Sequence, residues 1–255
     1  MSDENLISKV FKTKHSECEI ILYENYRNVH VKFPTGYTCK VNFSNLKRGA
    51  VKDPLSKTVL GVACIGIGKH SRSTSKLVYQ IWFDMLKRCY SDKVKAVRST
   101  YKDCRVCDEW LNFQNFAEWC YAEKFYDAVD NEGRSYNLDK DLIVRGNRVY
   151  SPETCCFIPQ DINGTLVKNE RKRLNKDTPI GVTKVVQVNG VKYQAALSKK
   201  KKLIHCGCYG TVEEAFSVYK REKELYLKEL AEKWKDFIDE RVYDALISYQ
   251  VSIDD

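Results

Sequence analysis

Over the first seventy residues apolar and polar positions alternate or run apolar in short bursts. CEIILYE (18–24), NVHVKF (28–33) and YTCKVNF (37–43) carry the period-two signature of half-buried strands, with the turn-forming PTGY after the second. The Gly-rich GVACIGIGKH (61–70) reads as a strand followed by an exit. From Ser73 the period lengthens. Leu77, Ile81, Trp82, Met85, Leu86 and Cys89 fall at helical spacing and predict a helix over 74–90. Trp110, Phe113, Phe116, Ala117 and Cys120 do the same for 108–122, across the basic polar connector SDKVKAVRSTYKD (91–103).

After residue 136 the pattern turns to short punctuated pieces. LDKD (138–141) is a polar turn and Gly146-Asn147 a second one. Ser151-Pro152-Glu153-Thr154 has the serine cap and early proline that open a helix. KNERKRLNKDT (168–178) is a charged linker. Beyond it come three short alternating strands, separated by an Asn189-Gly190 hairpin signal and a lysine run at 199–202. Thr211, followed by Glu213 and Glu214, caps a long helix, and VYDALISY (242–249) adds a short one. The expectation is an α+β protein of three modules: a β module at 1–72, a ββα centre with two preceding helices at 73–167, and a three-stranded sheet with a helical tail at 178–255.

Charge changes this picture more than composition does. Lysine and arginine total 43 against 34 acids, a formal +9, which favours an anionic partner such as nucleic acid. The chain has eleven cysteines, a polar MSDENLISKV start and no long apolar run. Together these predict a reducing cytoplasm, no membrane partner and thiols used mainly as core fillers.

The C-terminal stretch resembles the Apetala-two/ethylene-response-factor DNA-binding domain. The marks are Gly181-Val182, Tyr193-Gln194-Ala195, Gly207, Thr211-x-Glu213-Glu214-Ala215 and Tyr219. The resemblance implies a sheet laid in the DNA major groove with a helix behind it. Lys184, Lys192, Lys199, Lys200, Lys201 and Lys202 would supply the charge. These strands contain no arginine or tryptophan, so phosphate contact is expected ahead of base readout.

The core LDKD…GN..YSPETC…N, with YQIWFDMLKRCY and CDEWLNFQNFAEW before it, is similar to bacteriophage proteins of the HNH or homing-endonuclease-like type. The similarity implies a bacterial host cytoplasm and a hairpin-and-helix nuclease centre. There an Asp-His pair and a helix residue surround one Mg²⁺ or Mn²⁺. The matching positions are Asp139, Lys140, Asn147 and Asn163, with Asp139 and Asn163 as the metal-facing pair. Lys140 stands where the histidine belongs, and none of the four histidines lies between residues 71 and 204. A free amine titrates near ~10.4, too high for a general base at neutral pH, so Lys140 is better suited to neutralising its flanking aspartates or holding a phosphate.

Cys104-x-x-Cys107, with Cys155, has partial zinc spacing. The adjacency of Cys155 and Cys156 argues against a structural zinc. These readings favour double-stranded DNA binding without cutting, through Arg145, Arg148, Lys168, Arg171, Lys172, Arg173 and the six lysines above. The alternatives are an active metal-dependent endonuclease and an inhibitor that grips a host or phage protein.

Overall fold

A computed structural model describes residues 6–166, 178–188, 190–200 and 202–253. The fold is α+β and divides into two compact units, residues 1–122 with 149–151, and residues 123–148 with 152–255.

The first unit opens with an antiparallel meander of β1 (Val10–Lys12), β2 (Glu17–Asn25), β3 (Asn28–Lys32) and β4 (Thr38–Val41), in that order across the sheet. The alternation seen in the sequence places Cys18, Ile20, Val29, Val31 and Phe33 on one buried face. Helix α1 (Phe43–Lys47) closes that core with Phe43 and Leu46, and its first turn is capped by Asn42 accepting from Ser44 N–H.

The Gly-rich tract is not the expected strand. It forms turns joined by two isolated bridges, Val59 to Ala63 and Cys64 to Asn112. The reason lies in the backbone: Gly61 and Gly66 have φ of +74° and +76°, outside the extended region. A Cβ on Gly66 would sit 2.0 Å from Asn112 Oδ1, and one on Gly68 2.2 Å from Gln114 Oε1. Gln114 ties the tract down, its Nε2 donating to Ile65 O and His70 O, both at 2.9 Å, while Oε1 accepts from His70 N–H at 3.0 Å.

Helix α2 (Lys76–Tyr90) forms as expected, but its buried stripe is Val78, Trp82, Met85, Leu86 and Cys89, with Leu77 exposed. The polar connector contains a further short helix, α3 (Asp92–Val97), and ends at β5 (Arg105–Val106). A 3₁₀ turn at Asp108–Leu111 leads into α4 (Phe113–Ala122), which buries Phe113, Phe116, Ala117 and Cys120. The Trp82 indole N–H donates to Trp110 O at 2.6 Å, joining α2 to this turn.

In the second unit β6 (Asn137–Asp139) carries the start of LDKD. The chain then returns briefly to the first unit as β7 (Val149–Tyr150), parallel to β5. Ser151–Thr154 does not start a helix. Pro152–Thr154 is a turn, followed by β8 (Cys156–Ile158), antiparallel to β6 with Asp139 opposite Cys156. Cys155 to Ile158 are all buried, and a run buried on both faces is more stable as a strand than as an amphipathic turn of helix. The helix, α5 (Gln160–Leu166), begins only after Pro159, whose carbonyl accepts the Asn163 N–H. Proline is harmless there because that position has no intrahelical donor to lose.

Strands β9 (Val182–Gln187), β10 (Gly190–Lys199) and β11 (Lys202–Tyr209) form an antiparallel sheet with β10 in the middle. Asn189, from the expected hairpin turn, lies outside the described residues. Helix α6 (Val212–Trp234) starts with a full capping box, Thr211 with Glu214, and α7 (Glu240–Ile247) follows. Gly181, at φ +79°, lets the Tyr219 ring lie against the sheet, since a Cβ would meet that ring at 2.1 Å.

Candidate functional site

The turn after β6 is built by its own side chains. Asp139 Oδ1 accepts the N–H groups of Asp141 at 3.0 Å and Leu142 at 2.8 Å, which bends the chain out of the strand. Lys140 then folds inward and is only 6% exposed. Its Nζ donates to Asp141 Oδ2 at 3.1 Å and to the carbonyl of Asn147 at 3.2 Å. Asn147 answers with Nδ2 donating to Lys140 O at 2.6 Å. Gly146, at φ +76°, makes the bend that brings Asn147 back. Lys140 is therefore a clip across its own loop, its ammonium held by Asp141 and the Asn147 carbonyl.

The same burial governs the neighbouring acids. Removal from water pushes the Asp139 carboxyl above its usual range, and the charge of Asp141 adds to this. The N–H groups of Leu142 and Asp141, with Lys140, oppose the rise without reversing it. Opposite it, burial and then Asp139 and Cys155 hold the Cys156 thiol well above its ordinary value. A thiol beside a carboxylate oxygen that already accepts two N–H groups makes a poor ligand set for a hard cation.

Strands β6 and β8 pair antiparallel across the excursion through β7, the helix α5 that follows packs on β6, and Asn137 Nδ2 donates to Gln160 Oε1 at 2.9 Å. Asn163 lies half-buried on α5. Cys104 and Cys107 belong to the first unit and Cys155 to the second. Among the described residues no three His, Cys, Asp or Glu side chains converge as a metal group.

Among the basic residues, Arg145 is exposed, donates to Gln250 O and lies 5.2 Å from the Tyr249 ring; Arg148 is exposed. Lys168, Arg171, Lys172, Arg173 and Lys201 lie outside the described residues. Register sorts the rest. Lys184 pairs with Tyr193 and Lys192 with Val185, so these two lysines point to opposite faces of the sheet. Lys199 turns towards α6, where it pairs with Glu229 and lies 4.8 Å from the Tyr226 ring. Lys200 and Lys202 are exposed.

A bulge in β11, with Ala195 opposite Gly207 but Ala196 opposite His205, decides the open face. The Tyr209 hydroxyl donates to Cys206 O at 2.7 Å across Gly207, where a side chain would meet it at 2.6 Å. Thr183, Lys192, Gln194, Ser198 and His205 consequently share the face away from α6. Sequence alternation alone does not reveal that set, because the bulge shifts the parity of β11.

Outside the sheet, Asp161 accepts from Lys233 at 2.7 Å and Arg134 at 3.2 Å, joining α5 to α6. Burial raises the Asp161 carboxyl, but Lys233 and Arg134 outweigh it and hold it below its usual value. Comparison with known proteins finds no matching family model, curated protein or solved structure.

If Lys140 is a clip, Lys140→Ala should destabilise by about 2 kcal/mol, in the range for hydrogen bonds to a charged group, and Asn147→Ala by about 1 kcal/mol, in the range for a neutral one, in urea titrations. A second expectation follows from Asp139. Its folded-state pKa is raised, so stability falls as pH climbs from the ordinary aspartate value through the folded one. Asp139→Asn keeps the Oδ1 acceptor and removes the charge. The variant should therefore equal or exceed wild type at neutral pH and lose that advantage below the ordinary aspartate range.

Proposed function

We propose that this chain binds double-stranded DNA without cutting it. One observation carries the reading: from Thr178 to Val212 the chain has six lysines and no acid. That span is the three-stranded sheet, covered by α6 on one side and exposing hydrogen-bonding side chains on the other. A sheet of this width fits a groove, and its lysines neutralise phosphates. The face offers Thr, Gln, Ser and His rather than arginine forks, which favours affinity over stringent base selection.

The succession β6, β8, α5 favours a second reading, a metal-dependent endonuclease using Mg²⁺ or Mn²⁺. The donor set does not fit that cation. Asp139 Oδ1 already accepts two N–H groups, and Lys140 carries its ammonium into the same turn. No hydrolytic step is assigned to these residues.

Mobility shifts on mixed-sequence duplex should give a dissociation constant that weakens steeply with salt, by about 0.9 in log–log slope per neutralised phosphate. Lys200→Ala with Lys202→Ala should weaken binding and flatten the slope more than Lys199→Ala, because Lys199 is already paired with Glu229. Absence of binding at low salt defeats the proposal. In plasmid assays with magnesium or manganese, wild type should nick no faster than Asp139→Ala; nicking that disappears in the variant would instead establish the endonuclease.

A further inference from the structure

The hairpin joining β9 and β10 outruns the helix that supports it. On the face turned towards α6, exposure along β9 rises from 6% at Val182 to 77% at Val186, and along β10 from 0% at Ala195 to 43% at Val191. Val186 and Val191 are cross-strand partners, and Val188 beyond them is fully exposed. Three residues of ribbon past Tyr193 project about 10 Å at strand spacing. A bare β-ribbon this apolar is costly in water and carries no packing load, so a folding role does not account for it. Lys184 and Lys192, both exposed, flank the valines on opposite faces, within the acid-free span.

We infer that this hairpin is a wedge: Val186, Val188 and Val191 enter a DNA groove and part a base step, while Lys184 and Lys192 hold the phosphates on either side. Apolar residues on short projecting elements unstack and kink duplexes in this way, most readily at flexible pyrimidine–purine steps. Phosphate-flanked insertion explains why valines and lysines occur together at the tip. A second copy of the chain would use the valines but leaves the flanking lysines without acids to meet, and an anionic membrane would use valines and lysines but not Thr183, Gln194, Ser198 and His205 on the open face. The inference rests on the DNA-binding reading and adds a deformation to it.

The test uses the full chain and a short duplex. The duplex carries a fluorescent adenine analogue, bright when unstacked, at a central pyrimidine–purine step, and a dye pair on its ends. Wild type should raise analogue emission and bring the ends closer. Val186→Ser with Val188→Ser, and separately Val191→Ser, should lose both signals yet bind within about threefold of wild type, because phosphate neutralisation carries most of the affinity. Unchanged thermal midpoints for these surface variants confirm that they fold.

Binding by wild type with no unstacking, or unstacking that survives in the serine variants, overturns the wedge and leaves DNA binding standing. No binding at low salt overturns both. A valine-dependent dimer in sedimentation, or valine-dependent capture by anionic vesicles in place of DNA deformation, assigns the tip to another partner and also overturns it.

Discussion

A lysine ammonium held inside a turn between two aspartates sets the character of the central element. Lys140 is too buried to reach a ligand, and its Nζ is engaged by Asp141 and the Asn147 carbonyl. A buried charge persists only when paired and hydrogen-bonded, so the loop from Asp139 to Asn147 must keep the shape that satisfies it. That constraint fixes where β6 ends and how Asp139 is presented to β8. A histidine in the same position would be shorter and charged for only part of the physiological pH range, and could not span to Asn147 in the same way.

The rest of the second unit is tied to this element by further cations. Arg134 and Lys233 converge on Asp161, Lys223 reaches Thr165 O, and Arg145 reaches Gln250 O. Tyr136, just before β6, donates its hydroxyl to Phe237 O. The centre, through Thr165 and Asp161, and the C-terminal sheet, through Lys199, are thus both fastened to the same helix α6, which makes them one compact body. Several basic residues that swell the net charge are spent in this internal work, and formal +9 overstates what a polyanion meets. The lysines of the acid-free sheet are the ones whose charge is not cancelled nearby in sequence.

Much of this was legible in the sequence where local physics decides. The period-two face of β2 and β3, the helical stripes of α2 and α4 and the Thr211 capping box all arise from patterns a few residues long. Legibility failed where a distant partner chose the conformation. Ser-Pro-Glu-Thr has every local mark of a helix start, yet the buried run Cys155–Ile158 is claimed by β6 and the helix waits for Pro159. GVACIGIG looks like a strand until Gln114, more than forty residues away, organises it into turns. At the candidate site the sequence marked Lys140 as anomalous and suggested that it neutralises its neighbours. The reciprocal bond with Asn147 depends on Gly146 turning the chain back and was not readable.

Strand parity carries the functional consequence furthest. Six lysines in a short span suggest a uniformly basic surface, but pairing distributes them: Lys199 packs towards α6, Lys184 and Lys192 take opposite faces, and the bulge at Cys206 adds His205 to the open side. Without that bulge, His205 would turn towards the helix and the open face would lose its one aromatic hydrogen-bonding group. The bulge itself depends on Gly207, because the Tyr209 hydroxyl occupies the space a side chain would need. The chemistry of the open face is therefore set by a single glycine and a tyrosine that lie off that face, and the lysine count matters less than the register that orients it.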